Sequence, residues 1–368
     1  MGADAGLKAQ LKETLRELTA LDGVAGQETA VVRWLRDRFA PLADEVTVDR
    51  MGNVVATRRG GLGDTNGGPH LLVAAHSDEI GALVKAVEAD GKIRFEKLGG
   101  VVETLLVGRK VRVGGVPGIV GIKPGHLQTA AEQLQVPKVR DLYIDVGYDT
   151  AAEVESLGVR AGVQITYDAP LDELTNGDRV YGKAVDNRIA CAILVHLLER
   201  LRGVPLGGTL SCAVAVQEEV GLRGARVLAQ RLQPDYALVI DTMPSGDTPE
   251  LRLLQDLNAR IGAGPVLRLM SGGGGSGHLM PPQMTRILTD AAARNDIPVQ
   301  PIVLAGANTD AASIHLAGAG IPTGTINLAR RYSHSPVEML DLNDAAWALQ
   351  LTEAVARDIG THDLEFLD

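Results

Sequence analysis

Aromatic side chains are scarce in this chain, with three Phe, two Trp and six Tyr in 368 residues. A core built without rings must come from Leu, Val, Ile and Ala, and few rings are left to stack on bases. Positive charge is also in deficit, because 36 Lys and Arg face 46 Asp and Glu, for a net charge of −10. Nucleic-acid binding needs basic surface, so that class is excluded. Only two cysteines occur, Cys191 and Cys212, both inside apolar runs. They read as buried free thiols of a cytoplasmic protein rather than a disulfide. No apolar run reaches the length of a membrane span, and residues 1–20 form an amphipathic pattern rather than a signal peptide.

What is present is a chain long enough for two domains or one large one, with 45% hydrophobic residues. Leu7, Leu11, Leu15 and Leu18 recur at helical spacing, and a second helix is expected over residues 27–39. A hairpin follows around Met51-Gly-Asn53, then a Gly-rich loop over 60–69. Residues 71–76 are a continuous apolar run, as in a parallel strand buried on both faces. From residue 83 to 175 the texture changes to short alternating strands with repeated glycines. Helix and strand patterns then alternate to the C-terminus: helices over 187–201, 222–232 and 343–359, strands over 210–216, 236–240 and 323–328. The fold class is therefore α/β, with a mixed, mostly parallel sheet and helices on both faces. Residues 1–82 and 176–368 form that unit, and 83–175 form an inserted small β-rich domain.

The central stretch is Gln217-Glu-Glu-Val-Gly-Leu-Arg-Gly-Ala225, where a buried strand ends in two adjacent carboxylates. Two acids at such a place are costly unless something pairs with them. In open α/β sheets ligands bind beyond the carboxyl ends of strands. The polar residues that end the apolar runs are His76 with Asp78, Glu218 with Glu219, Asp241 and His334. Asp186 stands at the start of the long helix, where an Asp is ordinarily an N-cap. Each is weak evidence singly, whereas jointly they describe a metal site. Two His and several carboxylates without Cys suit Zn, Co or Mn. A pair of divalent ions roughly 3.5–4 Å apart can hold one hydroxide and polarise a carbonyl, leaving one carboxylate free as a general base. An Asp78 carboxylate beside the His76 imidazole would fix its tautomer. The glycine run at 271–277 lacks the Lys-Ser/Thr of a phosphate loop and reads as a mobile loop.

These segments resemble the TET-type, glutamyl-aminopeptidase-like branch of the dinuclear metallopeptidases. The resemblance rests on His76-Ser-Asp-Glu-Ile-Gly81, Gly182-Lys-Ala-Val-Asp-Asn-Arg188, the Glu218-Glu219 segment, Asp241 with Gly246-Asp-Thr-Pro249, and Arg331-Tyr-Ser-His-Ser-Pro-Val-Glu338. Pro117-Gly-Ile-Val-Gly-Ile-Lys-Pro124 and Asp141-Leu-Tyr-Ile-Asp-Val-Gly147 fit as well, so nearly the whole chain is covered. The resemblance implies a zinc-peptidase-like fold in which the β-rich insert is a dimerisation domain. It implies two divalent ions per chain, one held by His76, Asp186 and Asp241, the other by Asp186, Glu219 and His334. Glu218 would be the general base acting on a metal-bound hydroxide, Asp78 the partner of His76, and the Asp186–Asn187 peptide cis. The implied activity is removal of N-terminal residues from short peptides with a free N-terminus, by a homo-oligomer whose dimers assemble into a hollow tetrahedral dodecamer. Ser77 and the sequence Asp241-Thr-Met-Pro244 depart from the family pattern. A dinuclear carboxypeptidase or deacylase and a non-catalytic assembly module on the same fold are the alternatives. A glycosidase needs no metal and is disfavoured. The substrate pocket is expected from loops around 246–254, 262–277 and 305–311.

Overall fold

The computed structural model describes residues 3–60 and 68–366. The Gly-rich loop read at 60–69 falls mostly outside the described residues. An eight-stranded sheet forms the centre, in the order Glu45–Val48, Val54–Arg58, Thr209–Ala215, His70–His76, Tyr236–Pro244, Thr323–Arg330, Val266–Met270, Gln300–Val303. The four strands from Thr209–Ala215 to Thr323–Arg330 are mutually parallel. Their apolar character follows from burial on both faces. Along His70–His76, Leu71, Val73 and Ala75 face one core and Leu72 and Ala74 another, the period of two a strand imposes.

On the first face lie the helices Ala5–Thr19, Val185–Leu201, Pro282–Arg294 and Leu342–Arg357, packed through leucines such as Leu11, Leu194 and Leu349. On the second lie Arg223–Leu232 and the short Ala311–Ile314 helix. The mixed, mostly parallel sheet with helices on both faces is thus the observed architecture. Two strands run further than their apolar stretches suggested. Tyr236–Pro244 carries Asp241 inside the strand, paired with Asn327, rather than after it.

The β-rich segment closes into a six-stranded barrel. Its strands are Gly81–Val87, Ile93–Leu98, Tyr143–Asp145, Val116–Gly121, Lys110–Val113 and Gln164–Tyr167 in spatial order. Ile93, Phe95, Val111, Val113 and Ile144 fill it. A small sheet of Asp172–Glu173, Arg179–Gly182 and Glu338–Asp341 pairs Gly182 with Glu338. That register carries the Glu338 side chain to the start of the Val185–Leu201 helix.

Candidate active site

The Glu218–Glu219 turn is held by side chains from three other segments. After Thr209–Ala215 the Val216 N–H donates to Asn53 Oδ1 at 3.0 Å, and the Gln217 N–H to Glu28 Oε1 at 3.0 Å. Glu218 N–H then donates to Asp78 Oδ1 at 2.9 Å and Glu219 N–H to Asp78 Oδ2 at 3.1 Å. Gln217 has a φ of +57°, so the chain leaves the strand abruptly. This aims the two glutamates in different directions.

His76 ends its strand fully buried. Its Nδ1 stands 3.2 Å from the main-chain oxygen of Asp78 and 3.6 Å from Oδ1. The Asp78 carboxylate, expected beside this imidazole, lies next to Nδ1 and also accepts from the Glu218 and Glu219 N–H groups. The nearest acceptor for Nδ1 is a carbonyl, which leaves Nε2 to face the site. Nε2 lies 3.4 Å from Asp186 Oδ1, 3.6 Å from Asp241 Oδ1 and 3.9 Å from Glu218 Oε2. Beneath this segment Arg188, fully buried, donates to the Ser77 carbonyl at 2.7 Å and the Leu18 carbonyl at 2.6 Å.

Asp186 does not cap the helix. Ala184 is the capping residue, in the left-handed region, and Asp186 and Asn187 have non-helical angles with a cis peptide between them. The Asp186 N–H donates to Glu338 Oε2 at 2.9 Å, and Oδ2 accepts from Arg330. Asp186 Oδ1 is buried without a hydrogen-bond partner. His334 Nε2 lies 3.6 Å from Asp186 Oδ2 and 3.5 Å from Glu219 Oε1. The His334 N–H donates to Glu338 Oε1, and its Nδ1 faces the Gly100 carbonyl at 3.2 Å. Gly100 belongs to the barrel, which therefore reaches into the site.

All seven residues singled out from the sequence meet at one rim of the sheet. Ligand atoms of His76, Glu218 and Asp241 lie within 4.8 Å of one another, and those of Asp186, Glu219 and His334 form a second such group. The first group contains Glu218 where the resemblance put Asp186, although Asp186 Oδ1 is the atom nearest to His76 Nε2.

Electrostatics reflect crowded acids in a low-dielectric place. Burial raises Glu218 well above the usual carboxylate range, against the pull of His76. Burial and the Asp186 charge push Glu219 up to about 7. Burial works against ionisation of Asp186 too, yet Arg330, His334 and His76 together hold it well below its ordinary value. For His76 burial opposes the proton, and Glu218, Asp186 and Asp241 more than restore it.

Four participants were missed. Arg330 and Glu338 hold Asp186 and His334. Arg268 lines the adjoining pocket and binds the carbonyls of Met270, Gly306 and Ala307. Asp310 is buried behind His76 and Asp241 with neither carboxylate oxygen hydrogen-bonded. Arg330 had a signal, since it ends an apolar strand like the others. The pocket, about 390 Å³, is walled by Thr242, Met243, Arg268, Ala307 and Asn308. Of the three expected loops, 305–311 supplies two wall residues, 262–277 supplies only Arg268, and 246–254 none. The 271–277 turn reaches the same rim, with Gly272 N–H bonded to the Gly306 and Ala307 carbonyls.

Residues 52–351 match the profile of the M42 glutamyl aminopeptidases. The chain belongs to that family. Glutamyl aminopeptidase of Lactococcus lactis subsp. cremoris is 32% identical to it over 96% of this chain and 97% of the relative. Among solved structures, an aminopeptidase from the archaeon Desulfurococcus kamchatkensis superposes with a TM-score of 0.90 at 33% identity, over 96% of each chain. A TET1 peptidase of Pyrococcus horikoshii, described as able to assemble into a tetrahedron or a large octahedral shell, gives 0.82 at 30% identity over 95% of this chain and all of that one. The M42 chain is thus an aminopeptidase-family hydrolase in fold and sequence. Among its described residues no helix is long and apolar enough to cross a membrane.

Proposed function

We propose that this chain is a metal-dependent aminopeptidase that removes residues one at a time from the N-termini of short peptides. The observation that carries the reading is two adjacent groups of ligand atoms, His76 with Glu218 and Asp241, and Asp186 with Glu219 and His334, with Asp186 Oδ1 only 3.4 Å from His76 Nε2. The buried Asp186 Oδ1, which accepts no hydrogen bond, fits the role of a metal ligand, because such an oxygen is costly without a partner. The donor set is imidazole and carboxylate only, which suits Zn or Co, with Mn also accommodated.

In this reading His76, Asp186 and Asp241 would hold one ion and Asp186, Glu219 and His334 the other. Two divalent ions bound there supply Lewis acidity toward the scissile carbonyl and toward the attacking water. The proton work falls to Glu218, which takes the proton from that water and returns it to the leaving amine. Asp78 keeps Glu218 and Glu219 in place through their main-chain N–H groups. The carboxylate-rich rim favours the α-ammonium of a free N-terminus, and the pocket wall from Thr242 to Asn308 receives the N-terminal side chain. The two free, buried thiols agree with a cytoplasmic setting. The barrel is read as the dimerisation domain, and a dimer on each edge of a tetrahedron would give twelve copies.

The test is Glu218→Gln with ion content measured beside turnover. The variant should keep two ions per chain while kcat falls by about 10²–10⁴. Activity near wild type in a folded, ion-loaded variant removes Glu218 from this role. A free-amine aminoacyl anilide should be cleaved and its N-acetyl form spared; equal cleavage of both would overturn the aminopeptidase reading, and release of acetate from the N-acetyl form would favour a deacylase.

A further inference from the structure

Asp186 presents two oxygens in different electrostatic states. Oδ1 faces His76 Nε2 at 3.4 Å and carries no hydrogen bond. Oδ2 faces His334 Nε2 at 3.6 Å and is already bound by the Arg330 guanidinium. Arg330 is 3% exposed and ends the Thr323–Arg330 strand inside the carboxylate cluster. Its Nη1 is bound to Glu338 Oε1, which also accepts from the His334 N–H, and Glu338 Oε2 accepts from the Asp186 N–H. One glutamate thus fixes the guanidinium, Asp186 and His334 together. The guanidinium holds Oδ2 through a fixed fork of donors and yields it only by being displaced.

We propose that Arg330 is a built-in cation that stands in for the second divalent ion. It neutralises Asp186 in the metal-free chain and competes with the ion held by Asp186, Glu219 and His334, making that position the weaker of the two. The inference rests on the two-ion reading above. It explains how the chain can fold before metal arrives, since the repulsion among Asp186, Glu219 and Glu338 is already offset. It makes Arg330 a positioning residue that sets the order of loading.

The experiment is stepwise titration of Co²⁺ and Zn²⁺ into metal-stripped wild type, Arg330→Met and Arg330→Lys, with thermal melts of each form. Wild type should bind two ions, the second more weakly. In Arg330→Met the second Kd should fall by on the order of tenfold or more, as expected when a unit charge is removed a few ångströms away. Its metal-free form should melt lower than wild type and its loaded form close to it. Arg330→Lys, which keeps the charge but loses the fork, should lie between. A second Kd that is unchanged or raised in folded Arg330→Met overturns the proposal. If that variant does not fold without metal, Arg330→Lys decides, and an unchanged second Kd there overturns it equally. A wild type that binds fewer than two ions overturns the two-ion reading itself, before Arg330 enters.

Discussion

The carboxylate of Asp78 is divided between two neighbours in sequence, one oxygen on the Glu218 N–H and the other on the Glu219 N–H. A residue that the sequence places beside His76 therefore also acts on the end of the neighbouring parallel strand. The buried carboxylate fixes the peptide from which both glutamates project.

Asp78→Asn keeps the shape but offers one acceptor to two donors. Losing a hydrogen bond to a charged group costs about 1.5–3 kcal/mol, so turnover should fall roughly ten- to a hundredfold as Glu218 loses its aim. Steady-state kinetics on an aminoacyl anilide, with ion content measured in parallel, check this. An unchanged kcat would mean that the turn holds itself.

Gly100→Ala tests the contact between barrel and rim. A Cβ there would stand 2.3 Å from His334 Nδ1, against a ring that the site cannot move without losing Nε2 from Asp186 and Glu219. The variant should hold fewer ions than wild type, lose activity and melt at a lower temperature, with the difference largest when metal is present. Elemental analysis of the purified variant reads the outcome, and full ion content would show that the loop gives way instead.

His278 supplies a pH dependence outside the carboxylate cluster. Burial, together with His315 at 5.1 Å between ring centroids, pushes its pKa down to about 4 from 6.5. A depressed histidine contributes stability that is present above pH 6.5 and is lost as pH falls through about 4. The loss is of the order of 3 kcal/mol from the shift alone. Urea melts at pH 7 and pH 4.5 should show a smaller acid penalty for His278→Phe than for wild type. Equal penalties would place the acid sensitivity elsewhere.

The sheet and its site were legible where an apolar run ended in an acid or an imidazole. His76, Glu218, Glu219 and His334 announce themselves in this way, and Asp241 does so although its strand continues past it. The helix pattern of Leu7 to Leu18 was equally plain, because a single leucine-rich face dictates it, and that of 187–201 was plain from its apolar length, since the helix is buried on nearly every side. What escaped depends on contacts distant in sequence. Glu338 reaches Asp186 only because Arg179–Gly182 pairs with Glu338–Asp341, a register no local pattern announces. The double duty of Asp78 needs two parallel strands side by side before it exists. Asp186 reads as a helix cap until the left-handed Ala184 takes that place.

The carbonyl of Gly100 behind His334 has a bearing on how the molecule can be taken apart. The barrel looks like a separable accessory, yet its Gly100 carbonyl backs the His334 ring at the rim of the sheet. An engineer who excised it to obtain a minimal hydrolase would cut away the backing of an imidazole along with the barrel. The two halves of this protein are therefore not interchangeable parts, and any chimera that swaps the insert must bring its own loop to the same histidine.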